Sequence, residues 1–476
     1  MRLEEMIQAM EGTLLQGSAK AEVQGVSIDS RTIRRGELFF AVEGPRFDGH
    51  AFLGEAASKG AAGAVVSGKT APPVSAEFPQ WPLVGVDDTT RALGRLGRAF
   101  KDRWPCVSVG VTGSAGKTGA KEILKAFLSA WYEVFASEGN LNNLYGLPLS
   151  LTRREPRHDA LVCEMGISTP GEMERLVEIY TPDVMLFTCI APAHLESFDS
   201  VEAIYREKTS VLKRMGANGT AVVNGDDAFL VRVCDELAGA SAFQGRVIAY
   251  GLSQSCDVRA SDVESRGFEG SSFKVSFPDG QGASLRLMLP GRANARNALG
   301  AAAAAWSLGV SAEAMAEKAV SLAPLEGRGR MLHLPGNIRV VDDSYNANPE
   351  SFRAALEALK ETPPSTGRGR NVLAAGDMLE LGPGEHAFHE DVGALAASCE
   401  VDALFAVGER SRRMAAVARK GGVPNVREFT TAEEAGEALA SFLREGDLVL
   451  VKGSRGMRME EALAALRERL GAEERC

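Results

Sequence analysis

The sequence predicts an α/β protein of three domains, on two observations. Its 476 residues are too many for one hydrophobic core, because single cores seldom organise more than about 250–300 residues. Short apolar runs alternate with helix-like stretches along most of the chain, which indicates sheets that are mostly parallel. We place the domains at residues 1–104, 105–325 and 326–476, because Trp104-Pro105 and the glycine-rich segment 325–330 resemble boundaries.

Charge and composition exclude several classes of function. The net charge of −10 argues against a general nucleic-acid binder, which needs a basic face. No apolar run approaches the roughly 18 residues of a membrane helix, and acidic residues stand where a signal peptide would be apolar. The seven cysteines include no Cys-x-x-Cys pair, so we interpret them as small buried residues of a reducing compartment. We expect a monomeric cytoplasmic protein that binds neither nucleic acid nor membranes.

The first domain combines short strands with two helices. β-Branched or apolar residues cluster in three runs, an alanine-rich stretch follows the second run, and prolines mark one loop. We predict strands at residues 23–28, 38–42 and 64–66, helices at 51–59 and 90–101, and a loop at 71–82.

The second domain alternates strands and helices before its pattern changes. We predict strands at residues 107–111, 160–163, 184–190 and 220–223, and a helix at 120–130. Residues 256–289 alternate apolar and polar side chains, which predicts an antiparallel addition to the parallel sheet. The alanine-rich segment 299–308 predicts a close-packed buried helix.

Alternation resumes in the third domain, which we predict to be a second doubly wound, Rossmann-like unit. Strands are predicted at residues 338–341, 371–374, 403–407 and 448–451, and helices at 351–359, 390–397 and 459–470.

A glycine-rich turn between the strand at 107–111 and the following helix is the sharpest local motif. Its glycines let successive backbone N–H groups point at phosphate oxygens, and the helix start adds partial positive charge. The lysine can reach the terminal phosphates of ATP, and the last hydroxyl can ligate Mg²⁺. The predicted phosphate-binding residues are Thr112, Gly113, Ser114, Ala115, Gly116, Lys117 and Thr118.

Two further strands of the second domain end in polar residues, at the edge where parallel sheets bind ligands. Glu164 follows three apolar residues, and Mg²⁺ beside ATP would satisfy its buried carboxylate; a helix-capping or ion-paired role is the alternative. His194 follows the third strand, where it is either a metal ligand or a hydrogen-bonded structural residue. Lys208, considered by itself, resembles a solvated helix lysine.

Together these motifs resemble the Mur ligases, and most closely their MurF type. In the first domain the resemblance rests on Ile28-Asp-Ser-Arg31, Gly36-Glu-Leu-Phe-Phe-Ala41 and Arg46-Phe-Asp-Gly-His50. In the second it rests on the phosphate loop, Gly139-Asn-Leu-Asn-Asn143, Glu164-Met-Gly, Ala193-His-Leu-Glu-Ser-Phe198, Lys208, Pro290-Gly-Arg292 and Asn297-Ala-Leu. In the third it rests on Asp342-Asp-Ser-Tyr-Asn-Ala-Asn-Pro349, Gly376-Asp-Met-Leu-Glu-Leu-Gly382, His389 and Lys452-Gly-Ser-Arg455.

The resemblance implies an ATP-dependent ligase that joins D-alanyl-D-alanine to UDP-N-acetylmuramoyl-tripeptide through an acyl phosphate. The first domain would bind the uridine nucleotide, the central P-loop domain ATP, and the third domain the dipeptide. Lys117, Glu164, His194 and Lys208 would be catalytic. Two Mg²⁺ ions would be held by Thr118, Glu164, His194 and a CO₂-derived carbamate on Lys208. ATP would also contact Asn297, Arg330 and Asp343. The other two substrates would contact Ser30, Arg31, Asn142, Asn143, Tyr345, Asn346, Asn348, Lys452 and Arg455.

The chain departs from the family pattern at three positions. Ala293 stands where the family usually has His, Gly119 replaces a second hydroxyl, and Asp199 replaces a Gly. None of these changes removes an essential charge, so we expect an active enzyme.

Two alternatives remain: another amide ligase of the Mur and folylpolyglutamate type, or a P-loop regulatory ATPase that joins nothing.

Overall fold

The computed structural model describes residues 1–44, 47–68, 77–233, 243–362 and 369–471. Arg46 and residues 71–76 of the predicted loop lie outside these ranges, as do Cys234 and Cys476. The described residues form three main sheets, of five, nine and six strands, and a small two-stranded hairpin. The mostly parallel α/β architecture predicted from the sequence is therefore confirmed.

The five-stranded sheet has the order β1-β7-β6-β3-β2, in which only β1 runs antiparallel to its neighbour. Its strands are β1 Thr13–Gln16, β2 Gly25–Ser27, β3 Glu37–Phe40, β6 Gly63–Ser67 and β7 Leu83–Val86, with β4 Glu43–Gly44 and β5 Phe47–Asp48 as the hairpin. The helices are α1 Leu3–Met10, α2 Leu53–Ser58 and α3 Thr89–Asp102. Asp48 and Asp88 cap the helical turns that follow them by accepting backbone N–H groups.

The nine-stranded sheet has the order β16-β15-β14-β13-β12-β11-β8-β10-β9. Its strands are β8 Val107–Thr112, β9 Val134–Ala136, β10 Ala160–Glu164, β11 Val184–Phe187, β12 Thr220–Asn224, β13 Arg246–Gly251, β14 Val258–Ser265, β15 Ser271–Ser276 and β16 Gly282–Leu287. The pairings β14–β15 and β15–β16 are antiparallel, which confirms the predicted addition.

Six described helices accompany this sheet: α4 Lys117–Leu128, α5 Gly146–Leu151, α6 Glu172–Ile179, α7 Val201–Thr209, α8 Gly291–Ser307 and α9 Ala312–Ala319. The alanines at 301–305 of α8 have no solvent exposure, so the predicted buried helix is confirmed. Small side chains let α8 pack closely against α4 and the sheet. Since β8 lies between β10 and β11, its carboxyl end is a topological switch point, where open α/β sheets bind ligands.

The six-stranded sheet has the order β17-β18-β22-β19-β20-β21, with only β17 antiparallel. Its strands are β17 Arg330–Leu334, β18 Ile338–Asp343, β19 Asn371–Gly376, β20 Ala403–Val407, β21 Asn425–Phe429 and β22 Leu448–Lys452. The helices are α10 Pro349–Glu361, α11 Glu385–Ser398, α12 Ser411–Lys420, α13 Ala432–Phe442 and α14 Glu460–Leu470.

Among the described residues, no helix is both long and apolar enough to cross a membrane.

Candidate active site

The phosphate loop joins the end of β8 to the start of α4. Gly113 and Gly116 have φ angles of +153° and +79°, which side-chain-bearing residues rarely adopt. A Cβ atom on Gly113 would lie 1.9 Å from Thr188 Oγ1, and one on Gly116 would lie 2.5 Å from Asn297 Oδ1. Both positions therefore require glycine. Lys117 Nζ donates to Gly113 O at 2.9 Å, which folds the lysine back over the loop.

Side chains of the loop also anchor it to the neighbouring strand ends. Ser114 Oγ donates to Ala191 O at 2.8 Å and accepts from Ala191 N at 2.9 Å. Thr112 Oγ1 donates to Met165 O at 2.8 Å, and Thr188 Oγ1 donates to Ala115 O at 2.6 Å. These bonds hold the loop against the ends of β10 and β11.

Glu164, the last residue of β10, is 2% exposed and lies beside the loop. Its Oε2 accepts from Thr118 Oγ1 and its Oε1 from Asn142 Nδ2, both at 2.8 Å. Its backbone N–H donates to Ser137 Oγ at 3.1 Å. Within the described ranges it forms no salt bridge, although burial of an uncompensated carboxylate is costly. A hydroxyl and a carboxylate next to a phosphate loop are the oxygen donors that Mg²⁺ prefers, so the residues fit that ion.

Lys208 lies in the last turn of α7 and is 1% exposed, so the alternative of a solvated helix lysine is wrong. Burial, reinforced by the positive charge of Lys117, lowers the pKa of Lys208 to about 7. The negative charges of Glu164 and Glu207 oppose this shift. The structure therefore brings Lys117, Glu164 and Lys208 into one electrostatic neighbourhood, although they come from three different elements.

His194 follows β11 and contacts the C-terminal sheet region. Its Nδ1 is 2.8 Å from Glu380 Oε2, and this hydrogen bond lowers the pKa of the Glu380 carboxyl. His194 has a φ of +53°. The sequence identified the motif that contains Glu380 but gave that residue no role.

A cavity of about 230 Å³ lies between the central sheet and the C-terminal sheet. The phosphate loop and the start of α8 form one wall, with Gly116 and Asn297 among the lining residues. The other wall includes Asp343, Tyr345 and Lys452. Residues predicted for ATP and for the dipeptide side thus line a single cavity. Ala293 also lines it, and so do Asn294, Asn346 and Arg328.

Arg330 is placed differently from Asn297 and Asp343, which are also predicted to contact ATP and which line the cavity. It is exposed at the start of β17 and does not line the cavity, whereas Arg328, two residues earlier, does. The Arg328 guanidinium lies 4.2 Å from the centroid of the Tyr345 ring, and the Arg455 guanidinium 5.7 Å. Arg455 is exposed and pairs with Glu460 at 3.4 Å. Arg328 was not among the predicted contacts of ATP, because the repeated Gly-Arg of residues 327–330 does not indicate which arginine faces the cavity.

The loop after β18 is held by contacts inside the C-terminal region and to the phosphate loop. Lys452 Nζ donates to Asp343 Oδ2 at 2.6 Å and to Asn346 O at 3.1 Å. Burial raises the pKa of Asp343, with the charge of Lys452 opposing the change. Asn348 caps α10 through Ser351 and donates to Ser114 O at 3.4 Å. Asn348 therefore links the two walls of the cavity.

The remaining predicted residues lie apart from this cavity. Ser30 is buried and donates to Glu55 Oε2 at 2.7 Å, while Arg31 pairs with Asp29 at 2.7 Å and has an 83% exposed side chain. Both follow β2, at the carboxyl edge of the first sheet. Asn143 Oδ1 accepts the Gly146 N–H at 2.8 Å, so its side chain holds the start of α5.

Comparisons with known proteins agree with this arrangement. Residues 22–101 match the Mur ligase family catalytic domain, residues 111–305 the Mur ligase middle domain, and residues 327–455 the Mur ligase glutamate ligase domain.

Similar proteins cover nearly the whole chain. The chain is 34% identical to the UDP-N-acetylmuramoyl-tripeptide–D-alanyl-D-alanine ligase of Escherichia coli, over 95% of this chain and 96% of that protein. It is 31% identical to the Bacillus subtilis protein of the same name, over 96% of each chain. Among solved structures, MurF from Acinetobacter baumannii superposes with a TM-score of 0.85 at 28% identity, over 98% of each chain. MurF from Thermotoga maritima in complex with ADP gives 0.78 at 28% identity, over 94% of this chain and 98% of that one. The chain belongs to the Mur ligase family, and within it to the MurF type.

Proposed function

We propose that the protein joins D-alanyl-D-alanine to UDP-N-acetylmuramoyl-tripeptide, with conversion of ATP to ADP and phosphate. The observation that carries the proposal is the single cavity at which the phosphate loop meets Asp343, Tyr345 and Lys452. Similarity to ligases of this name along nearly the full chain supports the choice of substrates. The product is the UDP-linked pentapeptide used in peptidoglycan synthesis. We further propose a cytoplasmic monomer that acts on these small molecules.

Amide formation from a carboxylate requires activation of that carboxylate. The γ-phosphoryl group of ATP is transferred to the terminal carboxylate of the tripeptide, which gives an acyl phosphate and ADP. The free amine of the dipeptide then attacks the acyl carbon and loses a proton. The tetrahedral intermediate expels inorganic phosphate and leaves the amide bond.

The contribution of the protein is mainly positioning and charge neutralisation. Loop N–H groups from Thr112 to Thr118 cradle the phosphates, and Lys117 exchanges its bond to Gly113 O for the γ-phosphate. Asn297 and Asp343, which line the cavity, would orient the adenosine. Arg330, the first residue of β17, would be a further contact of the nucleotide.

The donor atoms beside the phosphate loop suit two Mg²⁺ ions, which supply charge neutralisation for the phosphates and the acceptor carboxylate. Thr118 and Glu164 would hold one ion, since their oxygens already meet at 2.8 Å. His194 and a carbamate on Lys208 would hold the other. Lys208 suits carbamate formation because its lowered pKa, about 7, leaves much of the amine neutral and able to add CO₂.

The two other substrates approach from opposite sides of the phosphate loop. Ser30 and Arg31 would bind the uridine diphosphate end at the carboxyl edge of the first sheet. Asn142 and Asn143 lie on the loop between β9 and α5, and Asn142 donates to Glu164 at 2.8 Å. Both would contact the peptide part of the UDP substrate. The residues that would face the dipeptide are Tyr345, Asn346, Asn348, Lys452 and Arg455.

The decisive experiment measures phosphate release from ATP, with UDP-N-acetylmuramoyl-tripeptide and D-alanyl-D-alanine supplied singly and together. Release only with both substrates, accompanied by the mass of the UDP-pentapeptide, is the expected result. Release that requires the nucleotide substrate but a different amine would favour another amide ligase of the superfamily. Release that ignores both would favour a regulatory ATPase.

A further inference from the structure

We propose that Glu380 is a positioning residue for His194, and that the C-terminal region completes the catalytic centre by supplying this carboxylate. The inference rests on the proposed function, in which His194 is a metal ligand. The proposed function does not by itself specify a hydrogen-bond partner for the His194 imidazole. Glu380 lies 186 residues further along the chain than His194 and comes from a different sheet region.

The contact between the two regions involves more than one pair of atoms. Besides the 2.8 Å bond from His194 Nδ1 to Glu380 Oε2, the backbone of Gly382 lies against the segment after His194. A Cβ atom on Gly382 would lie 2.8 Å from Leu195 O, and Gly382 has a φ of +62°. The glycine therefore permits a close approach of the two loops, which brings Glu380 within reach of the imidazole.

Both partners adopt a backbone conformation that is uncommon for their residue types. His194 has a φ of +53° and Glu380 a φ of +63°, each in the left-handed region. Such conformations persist where surrounding contacts determine them, and they concentrate at functional sites. Their occurrence on both sides of one hydrogen bond indicates that this geometry is built into the two loops.

The loop that carries Glu380 is itself fixed at the carboxyl end of the C-terminal sheet. Leu379 N donates to Ser454 Oγ at 2.9 Å, and Met378 N donates to His389 Nε2 at 3.0 Å. Ser454 follows Lys452, which bonds to Asp343. The position of Glu380 is thus coupled to the cavity wall that faces the dipeptide.

The chemistry of imidazole explains why this contact matters. Donation from Nδ1–H to a carboxylate fixes the tautomer, so the Nε2 lone pair is free for a metal. Among the described residues, Nε2 makes no hydrogen bond. A carboxylate partner also orients the ring and makes the ligand nitrogen more basic, and loss of such a partner typically weakens metal binding about 10–100-fold.

The test uses the full-length variants Glu380→Ala and Glu380→Gln, with Glu437→Ala as the matched control. Glu437 forms an exposed 2.6 Å ion pair with Arg469 in the same region of the chain and touches no proposed site residue. Manganese binding to the ADP-loaded protein is measured by electron paramagnetic resonance, and kcat and KM are measured separately. Manganese binding does not depend on which amine is joined, so a wrong substrate assignment would leave this readout intact.

We expect Glu380→Ala to weaken binding of one of the two manganese ions, the one assigned to His194, by about 10-fold or more and to lower kcat, with little change in KM for the UDP substrate. Glu380→Gln, which keeps an acceptor oxygen for Nδ1–H, should recover most of the loss. In a His194→Ala background, Glu380→Ala should have no further effect, because Glu380 acts through the histidine. Wild-type affinity for both manganese ions in Glu380→Ala, or full additivity in the double variant, would overturn the proposal.

Discussion

Lys452 and Asp343 form a 2.6 Å ion pair between the ends of two adjacent parallel strands, β22 and β18. The lysine side chain is 2% exposed and the carboxylate 21% exposed, so water compensates little of their charge. Lys452 also donates to Asn346 O, which connects the pair to the loop that lines the cavity. The pair therefore fixes the shape of one wall of the proposed active site.

Breaking this pair from one side should destabilise the protein strongly. We expect Lys452→Met to lower the free energy of unfolding by about 3 kcal/mol, because the carboxylate of Asp343 is left without its cation. Combining Lys452→Met with Asp343→Asn should recover part of the loss, since the uncompensated charge is removed. Urea unfolding measures both values. The control Arg469→Met breaks an exposed pair and should cost less than about 1 kcal/mol. Equal costs for the two single variants would contradict the argument.

The glycine at the start of α4 should be essential for nucleotide binding. In Gly116→Ala the new Cβ would lie 2.5 Å from Asn297 Oδ1 at a φ of +79°, so the loop must move away from its cradle shape. We expect the affinity for ADP to fall by at least about tenfold, measured by calorimetry. Gly171→Ala provides the same type of backbone strain, at a φ of +84°, with no heavy atom within 4 Å of the new Cβ. That control should lose some stability but keep its affinity for ADP.

Burial of Lys208 should make stability depend on pH in a definite direction. Its pKa is about 7 in the folded protein and close to 10.5 in an unfolded chain. Between these values the unfolded state binds more protons, so stability rises with pH across this window. The free energy of unfolding of Lys208→Met should therefore rise less between pH 7 and pH 9 than that of wild type. Urea titrations at the two pH values, in buffers freed of CO₂, measure this difference. Lys213→Met removes an exposed amine and should keep the wild-type slope. Parallel slopes for Lys208→Met and wild type would show that the amine is not buried in solution.

The proposed carbamate gives Lys208 a second, chemical test. We expect Lys208→Ala to lose at least about 100-fold in kcat, because an anionic oxygen ligand is missing from the site. Short carboxylic acids such as acetate should restore part of the activity by entering the space that the side chain leaves. Acetamide, which has the size of acetate and no charge, is the control. Activity unaffected by the substitution would remove the carbamate from the mechanism.

The sequence predicted the elements whose signals are local. The strand Ala403–Val407 was predicted at its observed bounds, because all five residues are apolar and buried. The phosphate loop was equally predictable, because its strand, glycines and helix are contiguous in the sequence. By contrast, Thr13–Gln16 was missed: it is an antiparallel edge strand whose residues are exposed or partly buried, so it shows no apolar run. The segment 325–330 was predicted as a linker, and β17 begins at its last residue.

The sequence allowed a prediction that distant site residues lie close together only where a general rule of fold architecture applies to them. Glu164 lies 46 residues after Thr118. It ends β10, and Thr118 follows the phosphate loop at the end of the neighbouring parallel strand β8, so the rule that ligands bind at the carboxyl edge of a parallel sheet joins them. The burial of Lys208 depends on how α7 packs, and helical periodicity does not specify that. Glu380 reaches His194 from another sheet, so no spacing within either motif predicts their contact.

Substitution of Glu164 should affect proposed magnesium binding and protein stability in opposite directions, which makes it informative. Glu164→Gln keeps the size of the side chain and an acceptor for Thr118, but removes the charge. We expect kcat to fall by about 10²–10³-fold. Without ligands the variant should be at least as stable as wild type, because it neutralises a buried charge that forms no salt bridge with any residue the structure describes. Ligand binding should then stabilise wild type by about 2.7 kcal/mol at a Mg²⁺·ADP concentration of 100 Kd, and the variant by clearly less.

Glu174→Gln, which removes an exposed partner of Arg214, should gain as much from the ligand as wild type. Equal ligand stabilisation in Glu164→Gln would mean that this carboxylate does not contact the metal, and Thr118 would then need another partner at the phosphate loop.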